Sequence, residues 1–362
     1  MIVLAVSDLH LGRGKYLSNG QLNIVEDFGE DELFYEFLDH YCTGKFYWAS
    51  IHLVLNGDIL NLIQIDHAGV FSHIIDEEHT KKSLQCIHDG HKKFFAAIKN
   101  FMHTPNKKCT YIIGNHDNGM AFVGAQNLFR SLTNEKIDFA HMLEIDGIHI
   151  EHGHRFEVVN TVPQKKYFTT GPMGQKILNL PWGSLFCIFI LPRLKKERPL
   201  IDKVRPMGSY IKWCAFHDFF FFIRMLKMVL HYFIRSQFIT GNKNNNFKTT
   251  LGLLRQITIY PKYAKKAKKI LQRRPHLKVV IMGHTHLQEW RRFPEGKYYL
   301  NTGTWNQIPS VDAALHENIT KFSYCTVEVH NKTGTILNAS LNVWKGKWKP
   351  YLAEAQFSSK MN

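Results

Sequence analysis

The chain opens Ile2-Val3-Leu4-Ala5-Val6-Ser7-Asp8-Leu9-His10, an apolar run set directly against an acid and an imidazole. Five consecutive apolar residues, most of them branched, read as a buried β-strand. Alternation at the end of such a strand puts Asp8 and His10 on one side of the backbone. The same arrangement recurs four times. Run 51–55 leads to Asn56-Gly57-Asp58, run 109–113 to Gly114-Asn115-His116-Asp117, run 149–151 to His152-Gly153-His154, and run 278–282 to Gly283-His284-Thr285-His286. In a parallel-type sheet strand ends lie side by side, so clusters far apart in sequence meet in space. One Gly-Asp pair by itself is a turn, and one histidine at a strand end is an ordinary polar residue. Five clusters in this order, each behind a strand, do not arise as independent turns.

The residue types name the chemistry. Asp, Asn and neutral His form an oxygen and nitrogen ligand set suited to manganese, iron or zinc, with no thiolate on offer. Glycine before Asp58, Asn115 and His284 permits a tight turn and close backbone approach. Two divalent ions about 3.5–4 Å apart clamp a phosphoryl group and acidify a water toward a pKa of about 7. The expected cofactor is therefore a pair of divalent ions, manganese first, iron or zinc next.

Between the clusters, 31–41 reads as a helix that Asp31 can cap, and 77–102 as a longer one. Strands alternating with helices predict a layered α/β fold. The rhythm breaks near 160. Prolines 163, 172, 181, 192, 199 and 206 precede a long aromatic helix and the polar tract 241–246. We read residues 1–160 and 248–362 as the catalytic domain, and 161–247 as a helical insertion or lid. A lysine-rich helix at 263–272 and strands at 278–282, 298–300 and 323–329 resume the pattern. The 362 residues are 44% hydrophobic and 21% charged, a globular balance. A net charge of +16 favours anionic partners: phosphorylated substrates, nucleic acid or an anionic membrane surface. Six dispersed cysteines without a Cys-x-x-Cys pair, and an N-terminus with no basic n-region, fit a reducing, cytoplasmic setting without a secretory signal.

Asp8-x-His10, Gly57-Asp58, Gly114-Asn115-His116-Asp117, His152-Gly153 and Gly283-His284-x-His286 resemble the motif series of calcineurin-like metallophosphoesterases. The resemblance covers roughly 1–160 and 275–310. It implies a four-layer fold, two mixed β-sheets packed face to face and flanked by helices. It also implies that Asp8, His10 and His286 hold one metal, Asp58 bridges, and Asn115, His152 and His284 hold the second. His116 would be the general acid for the leaving oxygen, with Asp117 fixing its orientation. An imidazole suits that task near neutral pH. Asn115, His154 and Arg155 are candidate phosphate contacts, Arg155 through a bidentate fork. The Asn301-Thr302-Gly303-Thr304 turn falls where similar proteins place a turn near the metals. His67, His73, His79, His88 and His91 lie on an exposed-looking stretch and read as structural or solvated.

Substrate class rests on the insertion. Residues 213–238 carry Phe216, Phe219, Phe220, Ile223, Leu226, Leu230 and Phe233 at helical spacing, bordered by His217, Arg224, Lys227, His231 and Arg235. Such a face suits an interfacial helix or acyl-binding lid, and carries too many charges for a bilayer span. The chain loosely resembles the UDP-diacylglucosamine pyrophosphatase branch, which works at the membrane beneath an apolar helical lid. It departs from that branch at His116, where those enzymes place arginine, and at Ile59-Leu60-Asn61. What carries over is only a lid above a phosphorylated amphiphile; the expected location is cytoplasmic, with a peripheral place on the inner face of a membrane. The rival is a nuclease or nucleotide phosphodiesterase using the basic helix of Lys262, Lys265, Lys266, Lys268, Lys269, Arg273 and Arg274. A metal-stabilised interaction protein is the non-enzymatic alternative.

Overall fold

Strand β1 (Ile2–Val6) has a core on each side. Side chains alternate along a strand, so Val3 and Ala5 enter one apolar cluster while Leu4 and Val6 enter another. A strand of this kind must be central, and it is. β1 pairs in parallel with β2 (Ile51–Asn56), which pairs with β3 (Lys107–Ile112), which pairs with β4 (Asp138–Ala140). On its other edge β1 runs antiparallel to β12 (Phe322–Val329), followed by β13 (Ile336–Trp344) and β14 (Tyr351–Ser358). This computed structural model describes residues 1–17, 20–204, 207–236, 262–306, 322–347 and 351–358.

A second sheet has the order β10-β11-β9-β6-β5. Its strands are β5 (Met142–Ile145), β6 (Ile148–Glu151), β9 (Val279–Met282), β10 (Gln288–Phe293) and β11 (Lys297–Thr302). Val3, Ala5, Val54 and Ile112 of the first sheet meet Ile148, Ile150, Val279, Ile281 and Leu300 of the second in one buried cluster. The outer face of the first sheet is covered by α1 (Asp31–His40), α2 (Glu77–Gly90), α3 (Lys92–His103) and α4 (Val123–Thr133). The outer face of the second carries α9 (Tyr263–Arg273), whose Tyr263, Ala267 and Leu271 pack on Val280, Met282 and Tyr299. Helices, sheet, sheet and helix make the four layers expected from the motif series. β1, β2, β3, β6 and β9 fall within one or two residues of the runs read from sequence.

Three expectations need correction. The helix expected at 77–102 is two, α2 and α3, broken at Gly90-His91. A Cβ on Gly90 would stand 2.3 Å from the Arg13 carbonyl oxygen, so the loop crossing at the break requires glycine there. Asp31 does not cap α1; Glu30 occupies that position without a side-chain bond, and Asp31 instead accepts from His91 Nδ1 at 2.9 Å. The aromatic helix is also two, α7 (Met207–His217) and α8 (Phe219–Ser236), separated by Asp218, whose carboxylate pairs with Arg198. A short hairpin of β7 (Phe168–Thr170) and β8 (Lys176–Leu178), then α5 (Trp182–Phe189) and α6 (Leu191–Glu197), precede them. Leu178, Leu185, Ile188, Leu194, Phe221 and Tyr232 of this segment join the outer core of the first sheet. The polar tract 241–246 and the boundary at 247–248 lie outside the described residues. All six cysteines are free thiols.

Candidate metal centre

Parallel pairing sends the ends of β1, β2 and β3 to one edge of the first sheet, and those of β6 and β9 to the facing edge of the second. The five clusters therefore converge. Backbone bonds stitch them together: His10 N donates to Asp58 O at 2.9 Å, Asp8 N to Gly57 O at 3.1 Å, and Gly283 N to His152 O at 2.9 Å. Two glycines are required by this crowding. Gly57 has φ +80°, and a Cβ there would lie 2.6 Å from the His152 ring; one on Gly114 would lie 2.2 Å from Asp58 Oδ1. Asp8, His10, Asp58, His284 and His286 all sit at positive φ, between 51° and 70°. Left-handed backbone costs a non-glycine residue on the order of 1–2 kcal/mol, and its concentration at these five positions marks a site held in place by its surroundings.

Each aspartate has one oxygen occupied and one directed inward. Asp8 Oδ2 accepts from Ser7 Oγ and from His284 N, the latter at 2.9 Å. Asp8 Oδ1 is buried without a hydrogen-bond partner and lies 3.4 Å from His286 Nε2, 3.9 Å from His10 Nε2 and 4.0 Å from His152 Nε2. Asp58 Oδ1 accepts from His116 N at 2.8 Å, while its Oδ2 stands 3.1 Å from His152 Nε2 and 4.0 Å from His10 Nε2. His152 Nδ1 donates to the Asn56 carbonyl at 2.9 Å, so in the neutral ring Nε2 carries the lone pair. His152 Nε2 and Asn115 Oδ1 are buried without a hydrogen-bond partner. His10 and His286 bring their Nε2 atoms within 3.1 Å. Lone pairs converging on one another in a dry site call for cations between them. The residues present fit a divalent pair: ligand atoms of Asp8, His10 and His286 group together, as do those of Asp58, His152 and His284.

Without cations, protons must carry the compensating charge. Burial works against an imidazolium at His152, but Asp58 and Asp8 outweigh it and raise its pKa to about 10. Burial lifts the Asp8 carboxyl to about 6. Burial, reinforced by His116, pushes His10 down to about 3, so that ring is a neutral donor. Burial also lowers His116.

The structure corrects the place of Asp117. Its Oδ2 accepts from Tyr111 OH at 2.6 Å and Ile59 N at 2.9 Å, and its Oδ1 from Gly114 N at 2.5 Å. It holds the turn after β3 rather than the His116 ring, because its carboxylate points back under the strand end. Asn61 does what was expected of Asp117. His116 Nδ1 donates to Asn61 Oδ1 at 3.0 Å, Asn61 Nδ2 donates to Gln64 Oε1 at 2.7 Å, and Gln64 Nε2 donates to the Cys187 carbonyl of α5 at 3.2 Å. Glu157 is the other residue missed from sequence. It accepts from His284 Nε2 at 2.9 Å and Asn160 Nδ2 at 2.8 Å through Oε2, and from Tyr263 OH at 3.0 Å through Oε1. Burial opposes its charge, yet His284 and these bonds hold its pKa down at about 2. That carboxylate orients the imidazole through Nε2, which leaves Nδ1 as the nitrogen available to a cation. Neither Asn61 nor Glu157 carried a sequence signal beyond lying three residues past a cluster member.

His154 is buried, and its Nδ1 is without a hydrogen-bond partner. Arg155 is half-buried and leans toward Glu151, with Nη2 3.5 Å from Oε2. A narrow cleft opens beside the centre, lined by Asn115, Asn118, His154, Asn160, Tyr167 and Asn179 among others. The 301–304 turn does lie at the centre: Thr304 Oγ1 donates to the Asp8 carbonyl and Asn301 Nδ2 to the Gly283 carbonyl. His91 is not solvated but buried between carboxylates.

No protein-family model and no curated protein matches the chain. Solved structures do. Wild-type Vps29 complexed with zinc from Entamoeba histolytica aligns at 12% identity and TM-score 0.33, covering 99% of each chain. A conserved uncharacterised protein and predicted phosphoesterase from Streptococcus pneumoniae aligns at 11% identity and TM-score 0.32, covering 99% of this chain and 97% of that one. A dimetal phosphatase from Danio rerio aligns at 9% identity and TM-score 0.38, covering 98% of each. At identities and TM-scores this low the likenesses carry no weight for what this chain does, which rests on the geometry of its own strand-end clusters.

Proposed function

We propose that this chain is a divalent-metal-dependent hydrolase of a phosphate ester or anhydride. One observation carries the reading: five strand ends bring two carboxylates and five imidazoles into three overlapping groups of candidate ligand atoms, with Asp8 Oδ1, Asn115 Oδ1 and His152 Nε2 buried without hydrogen-bond partners. Asp8, His10 and His286 would hold one cation and Asn115, His152 and His284 the other, with Asp58 between. What such a pair supplies when bound is Lewis acidity toward a phosphoryl oxygen and toward the attacking water. The chain's own groups do the rest. Asn61 fixes the His116 ring through Nδ1 and leaves Nε2 to give its proton to the leaving oxygen. The proton is held there by the phosphate's charge, since burial alone lowers that ring's pKa. The asparagine-lined cleft receives the leaving group through neutral hydrogen bonds. The segment 161–247 is the lid in this reading, and a phosphorylated amphiphile is the substrate class.

Metal-stripped protein reloaded in turn with manganese, iron or zinc should hydrolyse p-nitrophenyl phosphate or bis(p-nitrophenyl) phosphate. No turnover above the stripped protein with any of the three would overturn the reading and leave a metal-stabilised interaction protein. A nuclease is the second reading, favoured by the exposed Lys262, Lys265, Lys266, Lys268 and Lys269 of α9 and its approach. Single-stranded DNA cleavage that falls steeply with salt would select it; hydrolysis of a lipid pyrophosphate in preference to DNA would select the amphiphile.

A further inference from the structure

Helix α8 is apolar on two opposite sides. Phe221, Met225, Met228 and Tyr232 recur at helical spacing and face the protein core. Phe219, Leu226, Leu230 and Ile234, with half-buried Ile223 among them, form a second stripe on the far side. The first needs no further partner, and the second has none among the described residues. The stripe continues onto α7, where Phe216 is 84% exposed, and across the break at Asp218 to Phe220, 78% exposed. A soluble surface helix has a polar outer face; this one has phenylalanine, leucine and isoleucine.

The net charge beside it is positive. Arg224, Lys227 and His231 are exposed along one flank of α8. Glu197 and Asp218 are the nearby acids, and each is paired with an arginine, Arg224 and Arg198 respectively. From Phe219 to Gln288 the sequence contains no Asp or Glu, and it contains 14 Lys and Arg, against a net charge of +16 for the whole chain. Eight of these fourteen, from Lys262 to Lys278, lie on or beside α9 over the second sheet, and the cations exposed at the stripe itself are Arg224 and Lys227.

We propose that the outer face of α8, with the end of α7, docks flat on an anionic lipid surface. An apolar stripe flanked by cations matches acyl chains beneath anionic headgroups. Nucleic acid would use the cations but has nothing for Leu226, Leu230 and Ile234 to contact. A second copy packing stripe to stripe would bring two cationic flanks together. Among the described residues no helix is long and apolar enough to cross a membrane, so the contact is interfacial. α8 spans about 27 Å at 1.5 Å per residue, and a helix lying in the interface sinks about 5–10 Å.

The test uses the full chain and vesicles, and it reads no turnover, so it stands or falls apart from the hydrolase reading. Co-sedimentation is measured with phosphatidylcholine vesicles and with vesicles containing about one-third phosphatidylglycerol. The expected result is at least tenfold tighter binding to the anionic vesicles, weakened by salt. The triple variant Phe219→Ser, Leu226→Gln, Leu230→Gln should lose that binding tenfold or more while keeping its circular dichroism and melting midpoint. Lys227→Glu, a change at an exposed position, should weaken binding to anionic vesicles and leave binding to neutral ones alone. Three results would each overturn the proposal: no binding of the native chain to anionic vesicles, unchanged binding of a folded triple variant, or a triple variant that instead dissociates a native dimer. Loss of single-stranded DNA binding in the triple variant with vesicle binding intact would likewise assign the face to nucleic acid.

Discussion

Protonation of His91 should set the pH limit of this protein's stability. The ring is buried between Asp31, 2.9 Å from Nδ1, and Glu26, 3.4 Å from Nε2. Glu26 in turn accepts from Gly12 N at 2.9 Å, Gly14 N at 2.6 Å and Phe28 N at 3.2 Å, fastening the loop that leaves His10. Burial opposes the imidazolium, but Asp31 and Glu26 outweigh it and raise the pKa from 6.5 to about 9. At about 1.4 kcal/mol per tenfold, that rise corresponds to about 3 kcal/mol. The folded pKa lies above the unfolded one, so the stabilisation is complete below pH about 6.5 and is lost as pH rises through about 9. Urea unfolding followed by tryptophan fluorescence at pH about 6 and about 9.5 should show native stability falling by roughly this amount more than in His91→Gln. The variant should be the less stable of the two at the lower pH, because the buried Glu26 and half-buried Asp31 carboxylates lose their cation. Equal pH dependence in the two proteins would refute the assignment. A drop in metal affinity with His91→Gln at neutral pH would show the clamp acting on His10.

Four further outcomes are expected at the centre. His116→Ala should retain its metals by elemental analysis and lose on the order of 10²–10⁴ in kcat; intact turnover would remove His116 from the chemistry. Asn61→Leu should lower kcat more than KM, and Asn61→Asp should recover most of the loss, because a carboxylate also accepts from Nδ1. Asp58→Asn should lose both metals together with activity, since a neutral amide bridges two cations poorly; a variant that titrates with two metals as before would contradict its bridging place. Glu157→Gln should weaken one of two metal-binding steps about 10–100-fold by calorimetry, and weakening of both steps equally would mean that Glu157 supports the fold rather than His284.

How much was legible depended on how local the signal was. The strands at 2–6, 51–55, 109–113 and 278–282 announced themselves because each is an apolar run buried on both faces and closed by glycine or an acid. The meeting of Asp8, His10, Asp58, His152, His284 and His286 could be read because a strand end and a candidate ligand type coincide there. The break at Gly90-His91 could not be read, since the Arg13 and Gly14 backbone that crosses it comes from another part of the chain. The orienting partner of His116 was assigned to its neighbour Asp117, and contact across the β2 and β3 ends gives it to Asn61 instead.

The sequence by itself determined the layering and which candidate ligand types stand at the strand ends, because alternation and strand-end chemistry are properties of a few consecutive residues. Tertiary structure alone decided which oxygen of each carboxylate is free, that Glu157 stands behind His284, and that His91 is an ion-paired core residue. It also decided which of the two apolar sides of α8 faces out. Helical spacing marks a stripe but not its direction, and only packing of Phe221 and Tyr232 against the first sheet's outer core leaves Phe219, Leu226 and Leu230 in solvent.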